Sequence, residues 1–442
     1  MNGGAMKPVR VGLIGLGVVG CQVARILTEE AEALQARTGI PLRLEKVAVR
    51  DLGKERDFTP EGAILTTEPF DVVNSAEVDI VVELIGGEDP AFDLAIGAAR
   101  KRKGFVTANK LLLALRGAEV FSAFEKSGAR LGFEAAVAGA IPIIRSIRES
   151  FSGDQVELIQ GIVNGTGNYI LSRMTDEGSR FEDVLKDAQA LGYAEADPTL
   201  DVEGIDSAHK ITILAALAFE TVVDFSDVYT EGITRITPED VISAGELGYR
   251  IKLLGIARRI EDAISLRVHP AMLPQRCLMA NVNGPFNAVE TRSKRAGVST
   301  LVGRGAGGGP TATAVLSDIV SMARDIASGG GARMAPLGSP VGGMEKLPVI
   351  PMDELESEYY LRFTVPDRPG VLAQIAGALG DNGISIASMI QRERMENQPV
   401  SVVLMTHNAV EADMKRSLTH IESSGICLAP TMIIRIAEND RD

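Results

Sequence analysis

The chain has 442 residues, 45% hydrophobic and 24% charged, with a formal net charge of −14 at pH 7. That length is too great for one core and predicts two to three domains, and the acidic balance excludes a broad nucleic-acid or anionic-membrane surface. Three scattered cysteines (Cys21, Cys277, Cys427) and four unclustered histidines provide neither a disulfide framework nor metal-ligand spacing.

No signal-like apolar region opens the chain and no 18-residue apolar run follows, so the expected setting is the cytoplasm. Val9–Ile14 is a short apolar run that breaks into Gly15-Leu16-Gly17-Val18-Val19-Gly20 and then a helical pattern, CQVARILTEEAEAL. This reads as strand, glycine turn, helix. Further strands are predicted at Leu42–Val49, Asp79–Leu84 and Phe105–Thr107, with a helix over Phe92–Arg102. Strands alternating with helices predict a parallel sheet covered on both faces.

Past Ala135 the pattern turns to α+β. A strand is predicted at Glu157–Val163, helices at Tyr169–Glu177, Phe181–Leu191 and Asp206–Phe219, and strand-like stretches at Leu266–Val268 and around Asn281–Val289. A glycine-rich loop, Gly303–Pro310, opens a helix at Thr311–Ala327. Ser328–Ser357, rich in Gly, Pro and Ser, reads as a linker partly draped over the body. From Tyr359 onward the order is βαββαβ, a ferredoxin-like module.

A glycine motif between a strand and a helix at the start of a βαβ unit is in the context that makes it a dinucleotide site. The first glycine permits the turn, the second lets backbone approach a pyrophosphate, and the third allows helix packing. The helix N-terminus then offers unpaired N–H groups to phosphate. At the end of the second strand, Arg50, followed by Lys54 and Arg56, favours a 2′-phosphate and so NADP, while Asp51 leaves NAD open. Lys110 follows a strand's carboxyl end, where ligands collect in such sheets.

The densest charge cluster is Gly192–Lys210, GYAEADPTLDVEGIDSAHK. If a helix starts there, Asp206 and Lys210 stand four residues apart on one face, in line with Leu214 and Leu217 and therefore with the buried stripe. Carboxylates and a lysine aimed inward can hold an amino acid's ammonium group and move a proton. The alternative is a solvated helix start whose acidic residues complement the dipole.

Several blocks together resemble homoserine dehydrogenase: TANKLLLA at Thr107–Ala114, VNGTGNYI at Val163–Ile170, the Gly192–Lys210 segment, VHP at Val268–Pro270 and GRGAGGGP at Gly303–Pro310. The C-terminal module, with DRPGVL at Asp367–Leu372 and DNGI at Asp381–Ile384, resembles an ACT domain. With no aspartokinase segment ahead of the glycine turn, the monofunctional bacterial form is the one resembled.

The resemblance implies an α/β architecture of three parts. These are a Rossmann-type nucleotide-binding domain (1–140, completed by about 303–327), an α+β substrate and dimerisation domain (141–302), and, after the linker 328–357, a ferredoxin-like ACT domain (358–442). It further implies NAD(P)-dependent interconversion of L-homoserine and L-aspartate 4-semialdehyde in threonine and methionine biosynthesis. Lys210, Lys110 and Asp206 match catalytic positions, and Glu195, Asp201, Gly165 and Thr166 match substrate-binding ones. Gly15, Leu16, Gly17, Val18, Val19, Gly20, Arg50, Lys110 and Gly305 match cofactor contacts. Glu134, Val137, Gly139 and Ile141 match a sodium site made mostly of backbone carbonyls.

Asp367, Pro369, Gly370, Val371, Leu372, Asn382 and Ile384 match an amino-acid effector site, for which threonine is the natural ligand. A homodimer or homotetramer is implied, with neither a nucleic-acid nor a membrane partner. Gly167, Ala140 and Gly309 stand where the family usually has threonine, glycine and leucine. Two rivals are weaker. A semialdehyde dehydrogenase needs a cysteine activated by a base, and none of the three cysteines has that setting; a non-enzymatic dinucleotide sensor would not need the carboxylates and two lysines.

Overall fold

The computed structural model describes residues 6–330, 332, 334–391 and 399–437. Among them six strands form a parallel sheet in the spatial order Ile64–Thr66, Leu42–Ala48, Val9–Ile14, Ile80–Glu83, Gly104–Thr107 and Leu131–Gly132. This is the doubly wound order, with a reversal beside the first strand that opens a crevice at the strands' carboxyl ends. The central strands are buried along their length apart from the half-buried Arg10, as parallel strands covered on both faces must be. Ile64–Thr66 and Leu131–Gly132 escape a pattern reading because runs of three and two residues carry no periodicity.

The helix Gly308–Ala327, far along the chain, returns to pack on Val18–Glu29, and Ala312, Val315 and Ile319 join the same core as Val11 and Leu13. A second sheet contains eleven strands among the described residues. Its first part holds Gly297–Arg304, Phe286–Ser293, Val156–Ile162, Tyr249–Ile260 and Ala263–Pro274. The twelve-residue strand Tyr249–Ile260 is absent from the sequence reading, because Lys252 interrupts its apolar run yet is only 2% exposed.

The charged segment folds as two helices, and the predicted Asp206–Phe219 helix begins one residue earlier. Asp201 lies in a short helix, Thr199–Val202, and Gly204, at a left-handed φ of 82°, separates it from the helix Ile205–Phe219. Asp206 and Lys210 share that second helix, with Leu214 and Leu217 buried below them. Gly165–Glu177 starts four residues earlier than predicted because the Asn164 side chain caps it, accepting from Gly167 N at 2.7 Å.

The Gly/Pro-rich stretch is held against the body as a strap. Val341 N donates to Glu125 at 2.9 Å, Leu347 N to Thr221 Oγ1 at 2.9 Å, and Ile350 N to the Ile264 carbonyl at 2.8 Å. The C-terminal module then forms Glu356–Pro366, Val371–Asp381, Ile386–Gln391, Pro399–Thr406, Glu411–Ser423 and Met432–Ile436. The predicted strand 384–394 runs past Gln391 into residues outside the described ones. The module's sheet is not separate: Met432–Ile436 pairs in parallel with Ala263–Pro274, which joins it to the strands of the middle part of the chain.

Candidate active site

Each glycine of the turn meets a different steric demand. Gly15 has a left-handed φ of 101°, and a Cβ there would lie 2.8 Å from the Leu84 carbonyl oxygen. A Cβ on Gly20 would sit 2.1 Å from the Gly15 oxygen, so only glycine lets the helix pack this close. Nothing lies within 4 Å of a Cβ built on Gly17, whose backbone borders open space at the start of Val18–Glu29.

That helix carries no acidic residue in its first turn, so its free N–H groups keep their attraction for an anion. Leu16 is buried, Val18 is exposed and Val19 half-buried at the mouth. The cradle fits the pyrophosphate of a dinucleotide. At the second strand's end Arg50 is exposed, while the Asp51 carboxylate accepts from Gly53 N at 2.8 Å and is thereby turned into its own loop.

Lys110 is aimed by a buried polar brace. Glu83, fully buried, accepts from the Thr107 hydroxyl at 2.7 Å and from Ile85 N and Gly86 N at 2.8 and 3.1 Å. Thr107 Oγ1 in turn accepts from Asn109 N at 2.9 Å. Asn109 caps the next helix through Leu112 N at 3.1 Å and donates to the Gly87 carbonyl at 2.6 Å. Lys110 is the first residue of that helix. Glu83 was missed in the sequence because a carboxylate ending an apolar strand reads as an exposed terminus.

The two lysines meet at one carboxylate. Lys210 Nζ lies 2.7 Å from Asp206 Oδ2 and donates to the Val163 carbonyl at 2.6 Å. Lys110 Nζ pairs with the other oxygen of Asp206. Asn164 Nδ2 completes the cluster, 2.9 Å from Asp206 Oδ2 and 2.7 Å from Asp201 Oδ1. Asn164 is the residue whose part sequence reasoning missed; the available signal was a capping Asn directly before Gly165.

Burial pushes the Lys210 ammonium below its ordinary value, against the opposing charge of Asp206. Burial would raise Asp206, but the charges of Lys210 and Lys110 outweigh it and hold the carboxyl well below the usual range. A buried lysine with a lowered pKa beside a permanent anion can give and take a proton.

Not every candidate joins the cluster. Thr166 is buried, and its hydroxyl donates to the Tyr193 carbonyl at 2.6 Å, tying the helix start at Gly165 to the loop that carries Glu195. Glu195 itself is exposed on that loop. The cation candidates pack on the late glycine loop: a Cβ on Gly139 (φ 55°) would lie 2.6 Å from the Gly305 carbonyl, and Ala140 N donates to the Arg304 carbonyl at 3.1 Å.

The Glu134 carboxylate is engaged by Ile144 N and Arg145 N at 2.9 and 3.0 Å, so what it has to offer an ion is its backbone carbonyl. Burial, and then the nearby Asp318, push Glu134 up to about 7. Backbone carbonyls, which Val137 and Gly139 also carry, are the hard oxygens that suit sodium, and the Ile141 carbonyl accepts from Ile143 N at 2.8 Å with a second lone pair left over. Among the described residues no group of three His, Cys, Asp or Glu side chains is placed to hold a metal.

The effector candidates fall into two groups. Asp367, Pro369, Gly370, Val371 and Leu372 lie at the start of the helix Val371–Asp381, and Asn382 and Ile384 lie beyond its end. Eleven residues of helix separate them by about 16 Å, so one copy does not bring them to face each other.

A family model described as homoserine dehydrogenase, NAD binding domain, matches residues 15–134, one described as homoserine dehydrogenase matches 142–320, and an ACT domain model matches 359–439. The chain is 44% identical to the homoserine dehydrogenase of Neisseria gonorrhoeae, over 98% of this chain and 99% of that protein. It belongs to the homoserine dehydrogenase family. The Pseudomonas aeruginosa homoserine dehydrogenase is likewise 44% identical, over 98% of this chain and all of that protein. A crystal structure of a homoserine dehydrogenase from Thiobacillus denitrificans superposes with a TM-score of 0.92 at 47% identity, covering 98% of this chain and 99% of the other. Among the described residues, no helix is long and apolar enough to cross a membrane.

Proposed function

We propose that the chain catalyses NAD(P)-dependent interconversion of L-homoserine and L-aspartate 4-semialdehyde in threonine and methionine biosynthesis, in the cytoplasm. The observation that carries this is the single Asp206 carboxylate clamped between Lys210 and Lys110, the latter just past the carboxyl end of a strand of the parallel sheet. In the oxidation direction the neutral amine of Lys210 takes the hydroxyl proton, and in reduction its ammonium returns it. Lys110, the more exposed of the two, borders the cofactor and relays charge through Asp206. Glu195 and Asp201 hold the substrate ammonium, and Gly165 and Thr166 shape the floor beneath it. The nicotinamide, once bound, accepts or supplies the hydride.

NADP is the favoured cofactor, because Arg50 is free to meet a 2′-phosphate while Asp51 is committed to its own loop. Sodium, where bound, is held by the carbonyls of Glu134, Val137, Gly139 and Ile141. Gly305 supports the cofactor side of the same loop. The domain division is 1–140 with about 303–327, 141–302, the linker 328–357, and 358–442. The ACT domain binds threonine, and since Asp367–Leu372 and Asn382–Ile384 are apart in one copy, a complete site uses two copies in a homodimer or homotetramer.

The test is steady-state L-homoserine oxidation, followed by reduced-cofactor absorbance with NAD and with NADP, with and without threonine. Lys210→Ala lowers kcat by about 10² to 10⁴ and leaves the cofactor's dissociation constant unchanged. Turnover at the unmodified level in Lys210→Ala refutes the site; insensitivity to threonine refutes the effector.

A further inference from the structure

The segment Tyr229–Asp240 lies between the ACT module and the start of the active-site helix. Arg435, on the last ACT strand, is 3% exposed. Its Nε donates to Glu411 Oε2 at 2.9 Å, and Glu411 is fully buried. The same guanidinium reaches out of the module to Glu231 Oε2 at 2.8 Å and to the Tyr229 hydroxyl at 3.3 Å. Tyr229 also donates to Glu231, at 3.0 Å. Arg362, on the first ACT strand, grips the other end of the segment through Asp240, at 2.6 and 3.1 Å. Two ACT arginines therefore pin a stretch that belongs to the catalytic domain.

The far side of this stretch props the catalytic helix. Ile233 N donates to the Val202 carbonyl at 2.8 Å, and the Thr234 hydroxyl to Glu203 at 3.1 Å. Gly232 is pressed so closely that a Cβ would sit 2.4 Å from the Val202 oxygen. A Cβ on Gly204 would meet Val268, Thr230 and the Glu231 carbonyl at 3.0, 3.3 and 3.4 Å. Gly204 is the N-cap of Ile205–Phe219 and, being glycine, provides no side-chain cap. The first turn of the helix that carries Asp206 is thus steadied by neighbours, among them Val268 and the loop held by Arg435.

We infer that Glu231, held by Arg435, is a positioning residue for Asp206 and Lys210, so that the ACT module forms part of the frame that sets active-site geometry. This rests on the proposed roles of Asp206 and Lys210. Asp206 must stay within hydrogen-bond reach of Lys210 and Asn164 at once, a condition that a small shift of the Gly204 turn breaks. Glu231 is a quarter exposed, and its replacement leaves the buried Arg435 still bonded to both oxygens of Glu411.

The experiment compares full-length Glu231→Ala and Glu231→Gln in homoserine oxidation, with kcat referred to the folded fraction measured by circular dichroism. Glu231→Ala lowers kcat about 10- to 100-fold while the KM for NADP stays unchanged. Glu231→Gln keeps an oxygen for Arg435 and Tyr229 and recovers most of the loss. Arg435→Met combined with Glu411→Gln, which severs the same contact from the ACT side without stranding a buried carboxylate, reproduces the fall. A purely structural link lowers Tm but leaves kcat per folded molecule intact in both the alanine and the double variant, and that result overturns the inference. Undiminished turnover in Lys210→Ala instead overturns the site assignment beneath it.

Discussion

Replacing Asp206 by Asn removes the anion that Lys110 and Lys210 share, while changing shape very little. Charges about 4 Å apart at an effective dielectric near 20 interact by about 4 kcal/mol, a large bias on where a proton sits. Burial already pulls Lys210 down and Asp206 opposes it, so the variant lysine falls further. In the proposed mechanism oxidation needs the neutral amine, so the rising limb of kcat/KM against pH moves towards acid.

The amide also offers one acceptor oxygen where Asn164, Lys210 and Lys110 brought donors to two. Leaving a donor unmet there costs about 1–3 kcal/mol, so Tm falls as well. The assay is a pH series of homoserine oxidation with NADP in excess, alongside thermal unfolding. A limb that stays at its original pH in a folded variant refutes the claim that Asp206 supports the charge on Lys210.

Gly17→Ala should fold normally, because its Cβ meets no protein atom, yet raise the cofactor KM by filling the phosphate approach; Gly20→Ala should unfold at lower temperature, its Cβ meeting the Gly15 carbonyl. Paired melting curves and cofactor titrations separate the two. Arg50→Glu should shift the ratio of kcat/KM for NADP over NAD towards NAD, and an unchanged ratio rules out the 2′-phosphate contact. Asn164→Ala should cost about 1–3 kcal/mol of stability by taking the shared donor from two carboxylates, with a drop in kcat; equal kcat and Tm would contradict that geometry.

Lys252, lowered by burial to about 7 from an ordinary 10.5, makes the unfolded chain bind more protons than the folded one between those values. Stability should thus rise with pH across that window, and denaturant melts of Lys252→Met should lose that slope.

Much of the fold was readable because local physics writes it locally. The strand, glycine turn and helix from Val9 to Leu27 need only hydrophobic spacing and three residues without a Cβ. Asp206 and Lys210 share a face because four residues make roughly one helical turn. The βαββαβ order of the ACT module likewise follows from element lengths and turn residues.

What the chain order hides is every partnership across distance. Lys252 looks like a solvent lysine until its Nζ is seen 2.7 Å from the Val282 carbonyl inside the sheet. Gly204 permits the left-handed turn between the two helices, but that Val268, Thr230 and the Glu231 carbonyl crowd the same point shows only in three dimensions. Asn164 shows its cap in sequence, but its second task, bridging Asp201 and Asp206, exists only after three segments converge.

The sequence alone determined which chemistry is on hand: a phosphate cradle, two lysines, a run of carboxylates and a regulatory module. Tertiary structure alone decided which carboxylate the lysines share, that Glu195 stands apart on an exposed loop, and that the ACT sheet continues the catalytic one. The reason is physical. Periodicity reports how each element faces its neighbours, whereas burial, ion pairing and pKa depend on which distant groups arrive within about 3–4 Å of one another.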